Sequence, residues 1–290
     1  PCFVDAHDDA GPARLGQAAA MGAALDLRDL TDRPALEELS SLLRTVWGSA
    51  EPVVPLTMLR ALSDTGGLVL GAFAGSALVG GAVGFRAASD PARLHSHVVG
   101  VRADWQRRGV GSAIKWRQRA WCLERGMTHM TWTFDPLVRR NALFNINNLG
   151  AVGCAYLADH YGPMDDAYNA GVPTDRVLLR WELAGHRPGS PPRDAVRVLD
   201  IGEHGQPCPI ARPHSVGGIA AGPVRLRLPH PVPPEHAMAW RAALREEMAP
   251  RLAEGYRWTA LSEDGWAVLD PPAVNPSVSN RPSRGVEEAR

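Results

Sequence analysis

Between Val99 and Ser112 the sequence reads VGVRADWQRRGVGS, leaving a strand-like run and entering a helix-like one with Gly109 and Gly111 at the junction. A helix that opens there aims several backbone N–H groups without intrahelical partners, and the positive end of its dipole, at one spot. That is an anion site, and phosphate is its natural occupant. Gly109 and Gly111 let a ligand approach the backbone where a Cβ would obstruct it, and Arg107 and Arg108 can add charge-assisted hydrogen bonds. The spacing is not GxxxxGK[ST], nor GxGxxG followed by an acidic residue about 20 positions on, so the common nucleotide loops are excluded. A glycine-rich turn with no ligand is the plain alternative. Upstream, His95 and His97 stand two apart in a strand-like run, which places both on one face together with Val99 and Val101. An unperturbed histidine pKa of about 6.5 suits a general base. The alternatives are a hydrogen-bonded structural pair or a metal pair, for which no third ligand is in view.

Several elements must hold these residues. A strand runs from Ala24 to Leu30, and Thr31 or Asp32 caps a helix with Pro34 in its first turn and Leu36, Leu39, Leu43 and Val46 on one face. A second helix follows Pro55 and ends at Gly66-Gly67. Leu68 to Phe73 and Leu78 to Phe85 read as a hairpin. A strand from about Leu94 to Val101 leads into the glycine loop. The helix after it, Gly111 to Arg125, puts Ala113, Trp116, Ala120 and Leu123 on one apolar face. Met130, Trp132 and Phe134 alternate with Thr131 and Thr133 as in a half-buried strand. A helix over Arg139 to Leu149 and a last strand over Val177 to Leu183 complete a mixed α/β domain. The spacing thus predicts a disordered leader over 1–20, a main domain over 21–184, a C-terminal α/β lobe over 185–270 and a disordered tail over 271–290. GHRPGSPP (185–192) is a linker by composition, and the lobe consists of strands at Val196 to Ile201 and Val224 to Leu228, a helix over Pro234 to Glu254, and a hairpin over Tyr256 to Leu269.

Gln106-x-x-Gly109-x-Gly111 after a strand ending in Val101 resembles the coenzyme A pyrophosphate loop of the GNAT superfamily of N-acetyltransferases. The order of elements from Ala24 to Leu183 is similar to the GNAT order. HSH (95–97), TWTFDPL (131–137), RRNALFNINNLGA (139–151) and YGPM (161–164) resemble a bacterial subfamily of predicted acetyltransferases. That subfamily has a C-terminal extension with a Trp-Arg helix and a following Gly-Tyr, as in Trp240-Arg241 and Gly255-Tyr256, so the resemblance spans roughly residues 24 to 270. It implies a GNAT acyl-CoA N-acyltransferase fold with acetyl-CoA or another acyl-CoA as co-substrate and no metal. Amides from Gln106 through Arg107, Arg108, Gly109, Val110 and Gly111 to Ser112 would hold the pyrophosphate. Val99 and Val101 would pair with the pantetheine arm, one amide there acting as oxyanion donor, and Asn141 would touch the pantetheine or its acyl end. His95 falls where some GNAT enzymes carry a glutamate base, which makes His95 and His97 the catalytic candidates. The usual tyrosine acid is missing, because counting back from Gly150 reaches Ile146. Tyr156 is then the candidate acid, with Tyr161 close by in sequence, and both have a packing role as the alternative.

The remaining features bound the reading. Of 290 residues, 45% are hydrophobic and 21% charged, which is enough for a packed core. Lys+Arg and Asp+Glu are both 31, so no overall charge draws the chain to nucleic acid or a membrane. Lys115 is the only lysine. Cys2, Cys122, Cys154 and Cys208 are far apart with no CxxC pair, and a ping-pong thiol route is disfavoured. No apolar run approaches the roughly 20 residues of a membrane span, so a cytoplasmic protein is expected, with a dimer open. Asp135-Pro136 reads as a turn or cap, Asn145, Asn147 and Asn148 as exposed or capping amides, and Arg225, Arg227, Arg241 and Arg245 as solubilising arginines. Direct acyl transfer to a small-molecule amine is the leading function. The alternatives are a non-catalytic coenzyme A sensor and a different acyl-CoA reaction in specialised metabolism.

Overall fold

Asp32 caps the first helix: its carboxylate accepts the Ala35 N–H at 3.0 Å, Pro34 occupies the first turn, and Gly48 closes the run at φ 58°. The computed structural model describes residues 25–273 apart from 165, 168, 170, 186–194 and 211–221. The leader, the GHRPGSPP linker beyond Gly185 and the tail lie outside the described residues. In chain order the elements are β1 (Leu25–Asp29), α1 (Arg33–Trp47), α2 (Leu56–Asp64), β2 (Leu68–Ala74), β3 (Ala77–Ala87), β4 (Asp90–Val101), α3 (Val110–Glu124), β5 (His129–Phe134) and α4 (Arg139–Ala142). A π-helix over Leu143–Asn148 continues α4, followed by β6 (Val152–Leu157) and β7 (Arg176–Glu182). The C-terminal part adds β8 (Val196–Ile201), β9 (Pro207–Pro209), β10 (Val224–Arg227), α5 (Ala237–Ala253), β11 (Arg257–Leu261) and β12 (Trp266–Asp270).

All of the strands join one mixed sheet in the order β1-β2-β3-β4-β5-β7-β6-β11-β12-β10-β8-β9. Helices α1 and α2 cover one face, where Leu36, Leu39, Leu43, Trp47 and Leu59 pack on Val69, Phe73, Val83 and Val98. Helices α3 and α5 cover the other, with Ile114, Trp121, Trp240, Leu244 and Met248 in one continuous core. The lobe does not stand apart from the main domain. Strand β11 meets β6 at Trp258 opposite Gly153, where an added Cβ would sit 2.9 Å from the Trp258 Cβ. Glycine is therefore what lets the lobe's hairpin extend the sheet.

Four expectations need correction. On α3 the buried face is Ile114, Lys115, Gln118, Trp121 and Cys122, while Trp116 and Leu123 are exposed. The apolar stripe pointed the wrong way, because Trp116 stacks edge-on against Trp181 from outside while Lys115 and Gln118 find polar partners inside. Strand β5 is buried on both faces, Thr131 and Thr133 included, as a strand between two helical layers must be. Strands β6 and β9 were absent from the expected order. The helix expected over 139–149 also widens into a π-helix after Ala142.

Candidate active site

Strands β4 and β5 run parallel and pair only at Arg93–His129, Leu94–Met130 and His95–Thr131. From Ser96 and Trp132 onward they diverge, although β4 stays paired with β3 and β5 with β7. A wedge therefore opens in the middle of the sheet, its apex between Ser96 and Trp132. The Arg102 N–H donates to Val79 O on β3 at 2.9 Å, so strand alternation turns the peptide groups of Val99 and Val101 towards the wedge. Gln106 Nε2 donates to the Val101 carbonyl at 3.1 Å. An open strand edge of this kind can pair with an extended amide-bearing ligand.

The loop at the wide end of the wedge has the geometry of an anion cradle. Arg107 takes φ 60° and Gly109 φ 80°, and α3 begins at Val110 without a side-chain cap. Left-handed residues of this kind turn successive N–H groups into one concavity. Arg107 is a non-glycine residue at positive φ, a strain on the order of 1–3 kcal/mol of the sort found at ligand clamps. Arg107, Arg108 and Gly109 are exposed, Val110 and Gly111 are buried and Ser112 is half-buried, so the tip of the loop is open to solvent while the start of α3 packs inward. The Arg108 guanidinium lies 5.2 Å from the Trp105 ring centroid, which holds it at the loop.

The two histidines share a face with Phe85: ring centroids are 5.2 Å apart for Phe85–His95, 6.1 Å for Phe85–His97 and 6.2 Å for His95–His97. Val99 and Val101 do not share that face. Strand β3 pairs Val83 with Val98 and Gly84 with Ser96, so His97 is the extra residue of a β-bulge. The bulge reverses the alternation: Val99 and Val101 join the core under α3, and Val98 and Gly100 turn to α1. Burial, then the proximity of His97, Arg93 and Lys115, pushes the His95 pKa down to about 4, and burial lowers His97 as well. Both rings are neutral at pH 7. That makes His95 a hydrogen-bonding imidazole and a weaker base than its unperturbed value promised. The β6–β7 connection crosses the same face: Tyr161 OH meets Thr133 Oγ1 at 2.9 Å, and Ala167 N–H donates to Trp47 O at 3.3 Å.

Tyr156 is committed elsewhere. Its O–H donates to Asp175 Oδ2 at 2.7 Å, and burial followed by that carboxylate raises its pKa well above the ordinary phenol value. Asp175 also takes Arg245 from α5 at 2.6 and 3.1 Å. Burial works against the Asp175 carboxylate, but Arg245, the Asp159 amide and Tyr156 together hold its pKa below the ordinary range. One strand over, Arg241 grips both oxygens of Asp135 at 2.7 and 2.5 Å. Asp135 Oδ1 also accepts the Leu137 N–H at 2.9 Å, so the expected turn is present and the ion pair is additional. Arg241 and Arg245 are thus bolts between lobe and wedge, and the solubilising reading of them is corrected. Arg225 and Arg227 instead lie against Trp266 at 4.9 and 5.5 Å.

Of the π-helix amides Asn145 is internal, whereas Asn147 and Asn148 are exposed as expected. Asn145 Oδ1 accepts from Trp132 Nε1 at 3.2 Å, and Asn147 clips the Leu261 peptide through Nδ2 at 2.6 Å and Oδ1 at 3.1 Å. Asn141 is buried one turn before Asn145, and Ile146 is fully buried in the core. Sequence reasoning missed Lys115 as a site residue: its Nζ lies 3.0 Å from Ser96 Oγ and 3.8 Å from the Trp132 ring centroid, at the wedge apex. The available signal was its being the sole lysine, on a helix directly after the glycine loop.

The fold is mixed α/β, with a parallel strand pair that splays open behind an uncapped, glycine-led helix. Residues 35–145 match the model of the acetyltransferase (GNAT) family. Among solved structures, an IAA acetyltransferase from Bacillus cereus is similar at 17% identity over 55% of this chain and 99% of its own, TM-score 0.42. The diaminobutyrate acetyltransferase EctA from Paenibacillus lautus is similar at 17% identity over 58% and 100%, TM-score 0.45. The ribosomal-protein-S18-alanine N-acetyltransferase from Escherichia coli is similar at 13% identity over 56% and 96%, TM-score 0.46. No curated protein matches the chain. No described helix is long and apolar enough to cross a membrane.

Proposed function

We propose that this protein transfers an acyl group, by default acetyl, from coenzyme A to an amine of a small molecule by direct attack within a ternary complex. The observation that carries the reading is the wedge between β4 and β5 with the amide cradle of Arg107 to Ser112 at its mouth. The cradle suits a pyrophosphate, and the Val99 edge suits the amides of a pantetheine arm. Asn141 and Asn145 stand on the β5 side of the same opening. An amide at the bulge near His97 would serve as oxyanion donor as charge develops on the thioester oxygen.

The acceptor amine would approach from the face bearing Phe85, His95, His97 and Thr131, opposite α3. A neutral His95 accepts a hydrogen bond from that amine and orients its lone pair, with bulk water taking the proton at neutral pH. Cys122 is held as a thiol, its pKa pushed up to about 12 by burial, and Cys154 is shifted the same way, which disfavours these two as acyl acceptors and supports direct transfer. The committed Tyr156 and the buried Ile146 favour one second reading, a coenzyme A sensor without turnover.

Thermal unfolding against a panel of coenzyme A thioesters, checked by calorimetry, tests the donor site. A ligand at about 100 times its Kd adds roughly 2.7 kcal/mol of stability. A larger shift with one acyl-CoA than with free coenzyme A supports the reading and names the acyl group. No shift with any of them sinks it, and binding without turnover on a broad amine panel favours the sensor.

A further inference from the structure

Lys115 sits where the two strands part. Ser96 and Trp132 are the first positions of β4 and β5 beyond their last shared pair, and Lys115 Nζ touches both, the hydroxyl at 3.0 Å and the ring centroid at 3.8 Å. The side chain is 1% exposed, and Gln118 Nε2 donates to the same serine oxygen at 3.1 Å, which fixes the ammonium's acceptor. An indole face and a hydroxyl hold a cation in place while leaving its charge effective at short range, because a buried site screens poorly.

We infer that Lys115 is a further catalytic residue: its ammonium stabilises the coenzyme A thiolate at the wedge apex and supplies the proton that sulfur needs on leaving. This rests on the acyl-CoA reading above. In the step, the acceptor nitrogen bonds to the thioester carbon and the C–S bond breaks with its electron pair on sulfur. Lys115 Nζ gives a proton to that sulfur, the attacking nitrogen sheds its proton to water, and Nζ regains a proton when coenzyme A leaves and the wedge admits water. The products are the amide and the free thiol. The role is the one left vacant by Ile146 and by Tyr156, whose O–H is tied to the Asp175 carboxylate. Among the titratable groups that feel the ammonium are His95 across β4, with Arg93 behind it, and Cys122 on α3, with Arg125 beyond. His95 is neutral and Cys122 protonated at pH 7, and neither competes for the charge.

The test needs no acceptor. Affinities of coenzyme A and desulfo-coenzyme A are compared by calorimetry across pH, the second ligand lacking only the sulfur. In the unaltered protein the preference for coenzyme A should grow at least tenfold at pH values where the free thiol is still protonated, because the bound thiol ionises earlier. Lys115→Met should flatten that growth, and Lys115→Arg should keep most of it. If Lys115→Met does not fold, the unaltered protein and the arginine variant decide. A preference independent of pH in the unaltered protein overturns the role of Lys115 and leaves the donor site standing. Equal growth in Lys115→Met overturns it too. Failure of both ligands to bind at any pH overturns the acyl-CoA reading, and the role of Lys115 with it.

Discussion

Removing Arg241 should loosen the protein at the joint between its lobe and its wedge. The guanidinium grips Asp135 at 2.7 and 2.5 Å with side-chain exposures of 7% and 16%, so Arg241→Met strands a carboxylate in a largely dry setting. Burial opposes the Arg241 charge, but hydrogen bonding and attraction to Asp135 outweigh it and raise its pKa above the ordinary value. Breaking a buried pair from one side costs about 3–5 kcal/mol. Arg176, 3.9 Å from Asp135, remains as a weak partner and sets the expectation near the lower end, about 3 kcal/mol. At roughly 2–4 °C per kcal/mol for a chain of this size, the melting temperature should fall by about 6–12 °C. Calorimetry and urea unfolding would measure it, alongside Asp135→Asn and the double variant. The double variant removes the stranded charge and should cost less than the two single changes summed, by about 1.5 kcal/mol. Coenzyme A affinity should stay within a few-fold, since the cradle is untouched. A single-variant loss below about 1 kcal/mol, the value of an exposed pair, would refute the reasoning. So would strict additivity.

Gly109→Val should abolish coenzyme A binding, since a β-branched residue at φ 80° deforms the cradle; an unaltered Kd by calorimetry would remove the cradle from the site. His95 is lowered in the folded state, so the unfolded chain takes its proton first as pH falls. Its contribution is full above about pH 6.5 and is lost between there and about pH 4, and His95→Phe should flatten that part of a stability–pH curve. The rate between pH 6 and 9 should show no inflection from His95, and one that vanishes in the variant would contradict its lowered pKa. Gly153→Val should force Trp258 away and uncouple β11 from β6, read as faster hydrogen exchange over 257–270 with the β1–β4 amides unchanged; uniform protection would show the lobe is held otherwise.

Much of the architecture was legible because it depends on neighbours in sequence. Asp32, Pro34 and Gly48 delimit α1, and the glycine loop announces α3, since caps and positive φ are local demands. The anion cradle was legible for the same reason, down to Gly109. The face of α3 was not. Helical spacing shows that Trp116 and Leu123 share a side, but Lys115 is buried only because Ser96 and Trp132 arrive from distant strands to satisfy it. The histidine face was legible as far as His97, where a bulge set by pairing with β3 reverses every later side chain.

Charge partnerships lay furthest from view. Nothing near Tyr156 in sequence shows that Asp175 accepts its O–H, or near Asp135 that Arg241 will clamp it from 106 residues away. Such pairs form because burying a charge is costly without a partner, and the fold alone decides which partner is in reach. The sequence by itself determined the helices and the glycine-led turn into α3. The opening of the wedge, the histidine bulge, the cation at its apex and the fusion of lobe to sheet were decided by tertiary structure, because each depends on which strands come to lie side by side.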